Sequence, residues 1–334
     1  MVIALQPDDY GPNDASSPIW SRLLQKAGHE VRKVDVYRAD ILHQLRGCHG
    51  FMWRHAHIPH MRQVAKRLLP VIENVLGLTV YPDQLTCWHY DDKIAQAYLF
   101  EATGIPAPAT WPWFEREAAL EWAETAAYPL VLKLWAGAGS TNVRLIRDRA
   151  EASHWIERLF GAGVASLEPR TPAFGKRLAL CKRAFLMGEL ESPWELHKGY
   201  ALFQEFLAGN LFDTRITVIG DRAFGFRRFN RENDFRASGS GKIDHDPKGI
   251  SPEFVRLAFE VADRLQTQSC AIDGLWRGKT PVVGEISYTY ASWAVHDCPG
   301  HWDSALNWHS GQMWPEEAQV SDFLARLKAK YGSF

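Results

Sequence analysis

The chain has 334 residues, about twice the ~150 residues of a typical domain, which implies two or three domains. Its 38 basic and 39 acidic side chains nearly cancel, so no overall basic field draws nucleic acid and no acidic excess enforces disorder. With 46% hydrophobic residues and no apolar run near the ~18–20 residues of a membrane helix, it reads as a soluble globular protein.

Residues 1–82 alternate short apolar runs with helical patterns. Val2–Leu5, Val31–Val36, Phe51–Trp53 and Leu78–Val80 are predicted strands, and Ile19–Lys26, Ile41–Leu45 and Met61–Leu76 the helices between them. That alternation predicts a parallel sheet with crossover helices, whose ligands gather beyond the strand C-termini. Arg54, His55 and His57 follow the third strand and so become candidate substrate residues. The opening Met1–Leu5 turns polar too soon for a signal peptide. Asp91 to Ala102 has a helix signature, and the two prolines of 104–110 fix an extended path after it. Residues 130–134 are a buried strand carrying Lys133, and a Gly/Ala/Ser loop through Gly137, Gly139 and Ser140 leads to a strand at Val143–Ile146. Residues 165–199 read as a charged, helix-leaning insertion. Strands return at Ala201–Glu205, Thr214–Ile219 and Ala223–Phe226, with Gly220-Asp221 as a type I′ hairpin signal. Ile250–Leu265 has helical periodicity and Val282–Ile286 is a strand.

Several motifs fail. The 137–142 loop lacks the third glycine of a dinucleotide fingerprint, and Ser240-Gly-Lys-Ile243 lacks the leading glycine and final hydroxyl of a phosphate loop. Cys298-Pro-Gly-His301 has zinc-type residues without a second pair, and there is no Gly-x-Ser-x-Gly elbow. The five cysteines (Cys48, Cys87, Cys181, Cys270 and Cys298) are scattered and odd in number, which predicts reduced thiols and a cytoplasmic protein.

Four elements carry chemistry. Lys133 on a strand before a glycine-rich loop suits polyphosphate oxygens. Phe203-Gln-Glu205-Phe206-Leu precedes Asp213-x-Arg215, offering strand-edge groups to a base and a carboxylate to ribose. Arg228, Arg231 and Arg236 with Ser238 form an arginine cluster without local one-for-one acidic matching, suited to phosphate or carboxylate oxygens. Glu285 and Ser287, two apart on a strand, face one side; with Asp273 brought alongside they offer the hard oxygen ligands Mg²⁺ takes.

In this order the elements resemble the ATP-grasp superfamily, and within it the glutathione-synthetase-like ligases and the ligases that add glutamate to a ribosomal protein. The matches are Asp92-Lys93 with 104–110, Pro129–Lys133 with Gly139, Gln204–Phe206, Asp213-x-Arg215, Gly220-Asp221, Asp234-Phe-Arg236-x-Ser238, and Asp273 with Glu285-x-Ser287, which span roughly 90–290. The resemblance implies an α/β (α+β grasp) architecture. A Rossmann-like pre-grasp domain would occupy 1–85, the first lobe 86–164, an insertion 165–199, and the second lobe 200–334. It implies that Lys93 and Lys133 contact ATP phosphates under the loop of Gly137, Gly139 and Ser140. Glu205 and Phe206 would hold adenine, with Asp213 and Arg215 also at the nucleotide. Arg228, Arg236 and Ser238 would face the γ-phosphate and the acyl phosphate, and Asp273, Glu285 and Ser287 one or two Mg²⁺ ions. Ser287 departs from the family, which has asparagine there. The implied function is an ATP-dependent carboxylate–amine ligase acting on small molecules, without nucleic acid or membrane insertion, with homodimers frequent among relatives. The alternative is a phosphotransferase on the same scaffold. Tyr290 and His301, flanking the metal motif, join Arg54, His55 and His57 as substrate candidates. The stretch Arg231–Lys242 with Glu285–Tyr288 also resembles a subgroup found with bacterial surface-polysaccharide genes, which implies a sugar acid as the carboxylate.

Overall fold

A computed structural model describes residues 1–8, 15–137, 142–165, 195–232, 234–237 and 239–332. Gly139, Ser140, Cys181, Ser238 and nearly all of the expected 165–199 insertion lie outside the described residues. The chain divides into two compact units: residues 1–90, 99–107 and 209–334 form one, and residues 91–98 and 108–208 the other.

The chain begins with β1 (Val2–Leu5), α1 (Ser17–Lys26), β2 (Glu30–Lys33), α2 (Ile41–Gln44), β3 (Gly50–Met52), α3 (Pro59–Pro70), β4 (Thr79–Tyr81) and α4 (Gln84–Cys87). The strands pair in parallel in the order β2-β1-β3-β4. The helix expected over 61–76 starts two residues earlier and changes at Pro70 into a π-turn, Val71–Val75. A proline at the end of α3 has no N–H to continue the regular ladder.

The next helix, α5 (Lys93–Thr103), passes from one unit to the other after Tyr98. It begins later than its acids suggest: Asp91 has φ +52°, in the left-handed region, while the Asp92 carboxylate accepts the Ala95 N–H at 3.0 Å as a cap.

The smaller unit then carries β5 (Thr110–Trp113), α6 (Arg116–Thr125), β6 (Leu130–Lys133), β7 (Val143–Ile146), α7 (Arg149–Phe160) and β8 (Ala201–Glu205). Its antiparallel sheet has the order β5-β8-β6-β7. Leu130, Leu132, Phe203 and Ile146 pack there against Ala119, Ala123, Trp155 and Ile156.

The larger unit resumes with β9 (Phe212–Ile219), β10 (Arg222–Phe229), β11 (Ile243–Asp244), α8 (Pro252–Arg264), β12 (Ser269–Arg277), β13 (Thr280–Ser287), α9 (Ser292–His296), β14 (Gly300–Asp303), β15 (Trp308–Ser310) and α10 (Pro315–Tyr331). These strands form an antiparallel sheet ordered β13-β12-β9-β10-β14-β15, with β11 beside β10. The apolar face of α8 (Phe254, Val255, Ala258 and Val261) packs on Ile216, Val218, Ile272 and Val283. The β9–β10 turn has the expected two residues, but only Gly220 has positive φ (+57°). A type I′ turn needs two such residues, so the turn follows the II′ pattern, with glycine first. Among the described residues no helix is long and apolar enough to cross a membrane.

Candidate active site

In the larger unit, register places the charged residues in one row. Asp273 is opposed by Glu285 on β13 and by Arg215 on β9, while Asp213 on β9 is opposed by Arg228 on β10. Opposed residues, and residues two apart on a strand, project to the same face. Glu285, Asp273, Arg215, Asp213 and Arg228 therefore share one face, with Ser287 beside Glu285.

Contacts within the row are charge-assisted and bidentate. Arg215 donates to Asp273 from Nε at 2.6 Å and from Nη2 at 2.8 Å. Arg228 donates to both oxygens of Asp213, at 2.7 and 2.6 Å, and from Nη2 to Asp273 at 2.7 Å. Burial would push the Asp273 carboxyl up, but Arg215 and Arg228 together hold it well below the usual carboxylate range. For Asp213 burial prevails, opposed by Arg228 and helped by the charge of Asp273, and its pKa is raised. Arg228, buried against two carboxylates, stays firmly protonated despite its desolvation.

The expectation of arginines unmatched by local acids is corrected here. Arg228 is paired as above, and Arg236 with Asp234 at 2.7 Å. Asp213 and Asp273 lie 15 and 45 residues from Arg228, so sequence proximity could not reveal these pairs.

Among the described residues no three His, Cys, Asp or Glu side chains gather as a metal cluster. The donor set still fits a hard divalent ion. Three carboxylates in the row against two guanidiniums leave one net negative charge, and the arginines occupy three of about four acceptor positions on Asp273. Ser287 Oγ donates to the Thr289 carbonyl at 2.7 Å and accepts the Thr289 N–H at 3.3 Å, which leaves one lone pair.

In the smaller unit, Lys93 is 6% exposed; its Nζ donates to the Gly137 carbonyl at 3.1 Å and stands 3.5 Å from Asp91. The same Asp91 carboxylate accepts the Gly137 N–H at 2.9 Å, fixing the start of the glycine-rich loop. Gly137 has φ +135°, and a Cβ there would stand 2.5 Å from Asn142 Nδ2, so this position requires glycine. In sequence, Asp91 reads only as the start of a helix and Asn142 only as the end of the glycine-rich loop, with no role in the site for either.

Lys133 ends β6, and Glu205 ends the neighbouring β8, paired with Leu130. They stand at opposite ends of that pair, about 10 Å apart along the strands, and on opposite faces. The Glu205 carboxylate accepts the Ala109 N–H at 3.1 Å, and Phe206, just beyond the strand, is half-buried.

The substrate candidates separate. Buried Arg54 donates to the Tyr290 carbonyl at 2.7 Å and to Ser16 at 3.3 Å. The Tyr290 hydroxyl bonds Ser269 at 2.6 Å and accepts from Gln319 at 2.9 Å, in a network that also holds buried Glu316. The His55 carbonyl accepts the Tyr288 hydroxyl, just past the metal motif. Arg54, His55 and Tyr290 are thus tied to one strand end. His57 is exposed, and His301 stands on β14, stacked 5.2 Å from His309.

A profile of the RimK-like ATP-grasp domain matches residues 123–291, half of the chain. The alpha-aminoadipate–LysW ligase LysX of Saccharolobus solfataricus is 25% identical over 207 residues, and the match spans 62% of each protein. Among solved structures, a RimK-domain ATP-grasp protein of Sphaerobacter thermophilus superposes with a TM-score of 0.55 at 16% identity, covering 97% of this chain and 100% of its own. An ATP complex of the D-alanine–D-alanine ligase of Bacillus anthracis gives a TM-score of 0.57 at 11% identity, covering 99% of both chains. At such identities these structures speak to the fold, which is that of the ATP-grasp proteins. The profile covers the Lys133 strand, the row of paired carboxylates and arginines, and the strand ending at Ser287, and by that match the chain belongs to the RimK-like ATP-grasp family.

Proposed function

We propose that the chain is an ATP- and Mg²⁺-dependent carboxylate–amine ligase that forms an amide through an acyl phosphate. The observation carrying this reading is the row Glu285–Asp273–Arg215 with Asp213–Arg228, on one sheet face of a RimK-like domain. The substrate carboxylate oxygen attacks the γ-phosphorus of ATP and ADP leaves. The amine nitrogen then attacks the acyl carbon, phosphate leaves, and the nitrogen loses its proton. No side-chain nucleophile is required, so the residues act by position and charge.

Lys93 and Lys133 are assigned to the ATP phosphates, under the loop of Gly137, Gly139 and Ser140. Adenine is assigned to the main chain around Glu205 and Phe206, since the Glu205 carboxylate is held by Ala109. Asp213 and Arg215 orient their neighbours at the nucleotide end of the row. Arg228, Arg236 and Ser238 balance charge on the transferring phosphoryl group. Asp273 and Glu285, with Ser287 through its remaining lone pair, are the residues that would hold one or two Mg²⁺ ions. When bound, that metal supplies Lewis-acid neutralisation of phosphate charge. A sugar acid as the carboxylate is the finer reading and rests on the Arg231–Lys242 and Glu285–Tyr288 stretches. We assign the enzyme to the cytoplasm, consistent with four buried, unpaired cysteines among the described residues.

The test measures ADP and free phosphate released from Mg-ATP in a small-metabolite extract, with added uronic acids as one arm and Glu285→Gln as blank. Equal ADP and phosphate, with a new amide mass absent from the blank, is the expected result. ADP without matching phosphate would replace the ligase by a phosphotransferase, and equal turnover by Glu285→Gln would remove the site assignment.

A further inference from the structure

The inward stripe of α10 runs Glu316, Val320, Phe323 and Leu327, at i, i+4, i+7 and i+11. The three apolar members pack with Ile3, Leu5 and Trp20, but the first position of the stripe is an acid, 0% exposed. A buried carboxylate is a costly choice if packing is its only task, because an apolar side chain of similar volume serves a fold as well or better.

The bonds of Glu316 show what it holds instead. It stands at the second position of α10, after Pro315, where the free N–H groups of a helix start favour negative charge. Its Oε1 accepts the Ser16 hydroxyl at 2.7 Å, from the residue before α1, and the hydroxyl of Ser292, which opens α9. Its Oε2 has no hydrogen-bond partner among the described residues. Ser16 Oγ in turn accepts from Arg54, whose other Nη donates to the Tyr290 carbonyl at 2.7 Å. One turn along α10, Gln319 donates to the Tyr290 hydroxyl and accepts Trp20 Nε1, each at 2.9 Å.

These bonds converge on residues 289–292, the stretch that follows Glu285 and Ser287. Within it, the main chain of Thr289 sets the direction of Ser287 Oγ, accepting from it and donating to it. A short hydroxyl with one open lone pair tolerates little misplacement, since a site of this kind needs its groups held within about 0.5 Å by supporting residues. We propose that Glu316 is a positioning residue of the metal motif. Through Ser292 directly, and through Ser16 and Arg54 on Tyr290, it fixes the chain beside Thr289 and so aims Ser287. This role rests on the reading of Asp273, Glu285 and Ser287 as the residues that would hold Mg²⁺.

Mn²⁺ titrated into the full chain with one ADP per chain, the free ion read by electron paramagnetic resonance against an ADP-only blank, tests it without turnover. Glu316→Ala should bind Mn²⁺ about tenfold more weakly, the lower end of what supporting partners of a metal site contribute. Glu316→Gln, whose amide oxygen can take both hydroxyls, should keep the parent's affinity. ADP affinity without metal should be the same in all three proteins; its loss in step with that for Mn²⁺ would mean general damage and overturns the proposal. Should Glu316→Ala not fold, Ser292→Ala decides, with Mn²⁺ bound severalfold more weakly. Parent-like Mn²⁺ affinity in the deciding variant, or Glu316→Gln as weak as Glu316→Ala, also overturns it. A parent that binds no Mn²⁺ beyond the blank removes the metal reading and this role together, whereas equal binding by parent and variants removes this role alone.

Discussion

Asp273 stands at the junction of the charged row, accepting three hydrogen bonds from two arginines. Replacing it by asparagine leaves both guanidiniums short of a countercharge in a largely buried place. Asp273→Asn should therefore lose ATP turnover and also about 3 kcal/mol of stability, read by urea denaturation. Stability within 1 kcal/mol of the parent, to an order of magnitude, would mean that the pairs seen here contribute little. His55 makes a second prediction at this scale. Burial, with the charge of Arg62 adding, lowers its pKa to about 3. The unfolded chain then binds a proton below about 6.5 that the folded chain refuses, so stability is unaffected above that pH and falls as pH drops toward 3. At pH 5 the parent should have lost about 2 kcal/mol that His55→Phe retains relative to its own value at pH 7.5, as measured by denaturant midpoints at each pH.

Elements were legible where their signal is local. Val143–Ile146 and Ala201–Glu205 are strands with the very bounds read from their apolar runs. The Gly220-Asp221 loop was visible as a two-residue turn, but its type depends on which residue takes positive φ, and composition did not distinguish them. The helices α6, α7 and α10 went unread, and so did the pairing of β14 with β15. Each is short or mixed in pattern and is completed by packing: Phe323 and Leu327 of α10 bury against Ile3, Leu5 and Trp20 some 300 residues earlier. Packing between β12 and α8 gives the element-scale prediction. A Cβ on Gly274, next to the irregularity after Asp273, would stand 2.4 Å from the Phe254 ring. Gly274→Ala should cost about 1–3 kcal/mol by overpacking, seen as a lowered Tm. An unchanged Tm would show that the ring turns aside freely.

For the whole molecule, the nucleotide is the measurable handle. If ATP binds the folded chain alone, Mg-ATP at a hundred times its Kd should add about 2.7 kcal/mol and raise Tm. Lys133→Ala should abolish most of that shift while leaving the Tm of the ligand-free protein near the parent's. An equal shift in both proteins would take Lys133 out of the phosphate site. The family, the order of the motifs and most strands could be read from the residues alone, because hydrophobic period, turn chemistry and the spacing of Asp273, Glu285 and Ser287 are properties of neighbouring positions. Tertiary structure alone decided that the arginines are paired, since Arg215 and Asp273 are 58 residues apart and meet only through the register of β9 and β12. It alone brought Glu316 to Ser16 and Ser292, 300 and 24 residues away, because a buried polar contact is made by the packing of whole elements and belongs to no single stretch of chain.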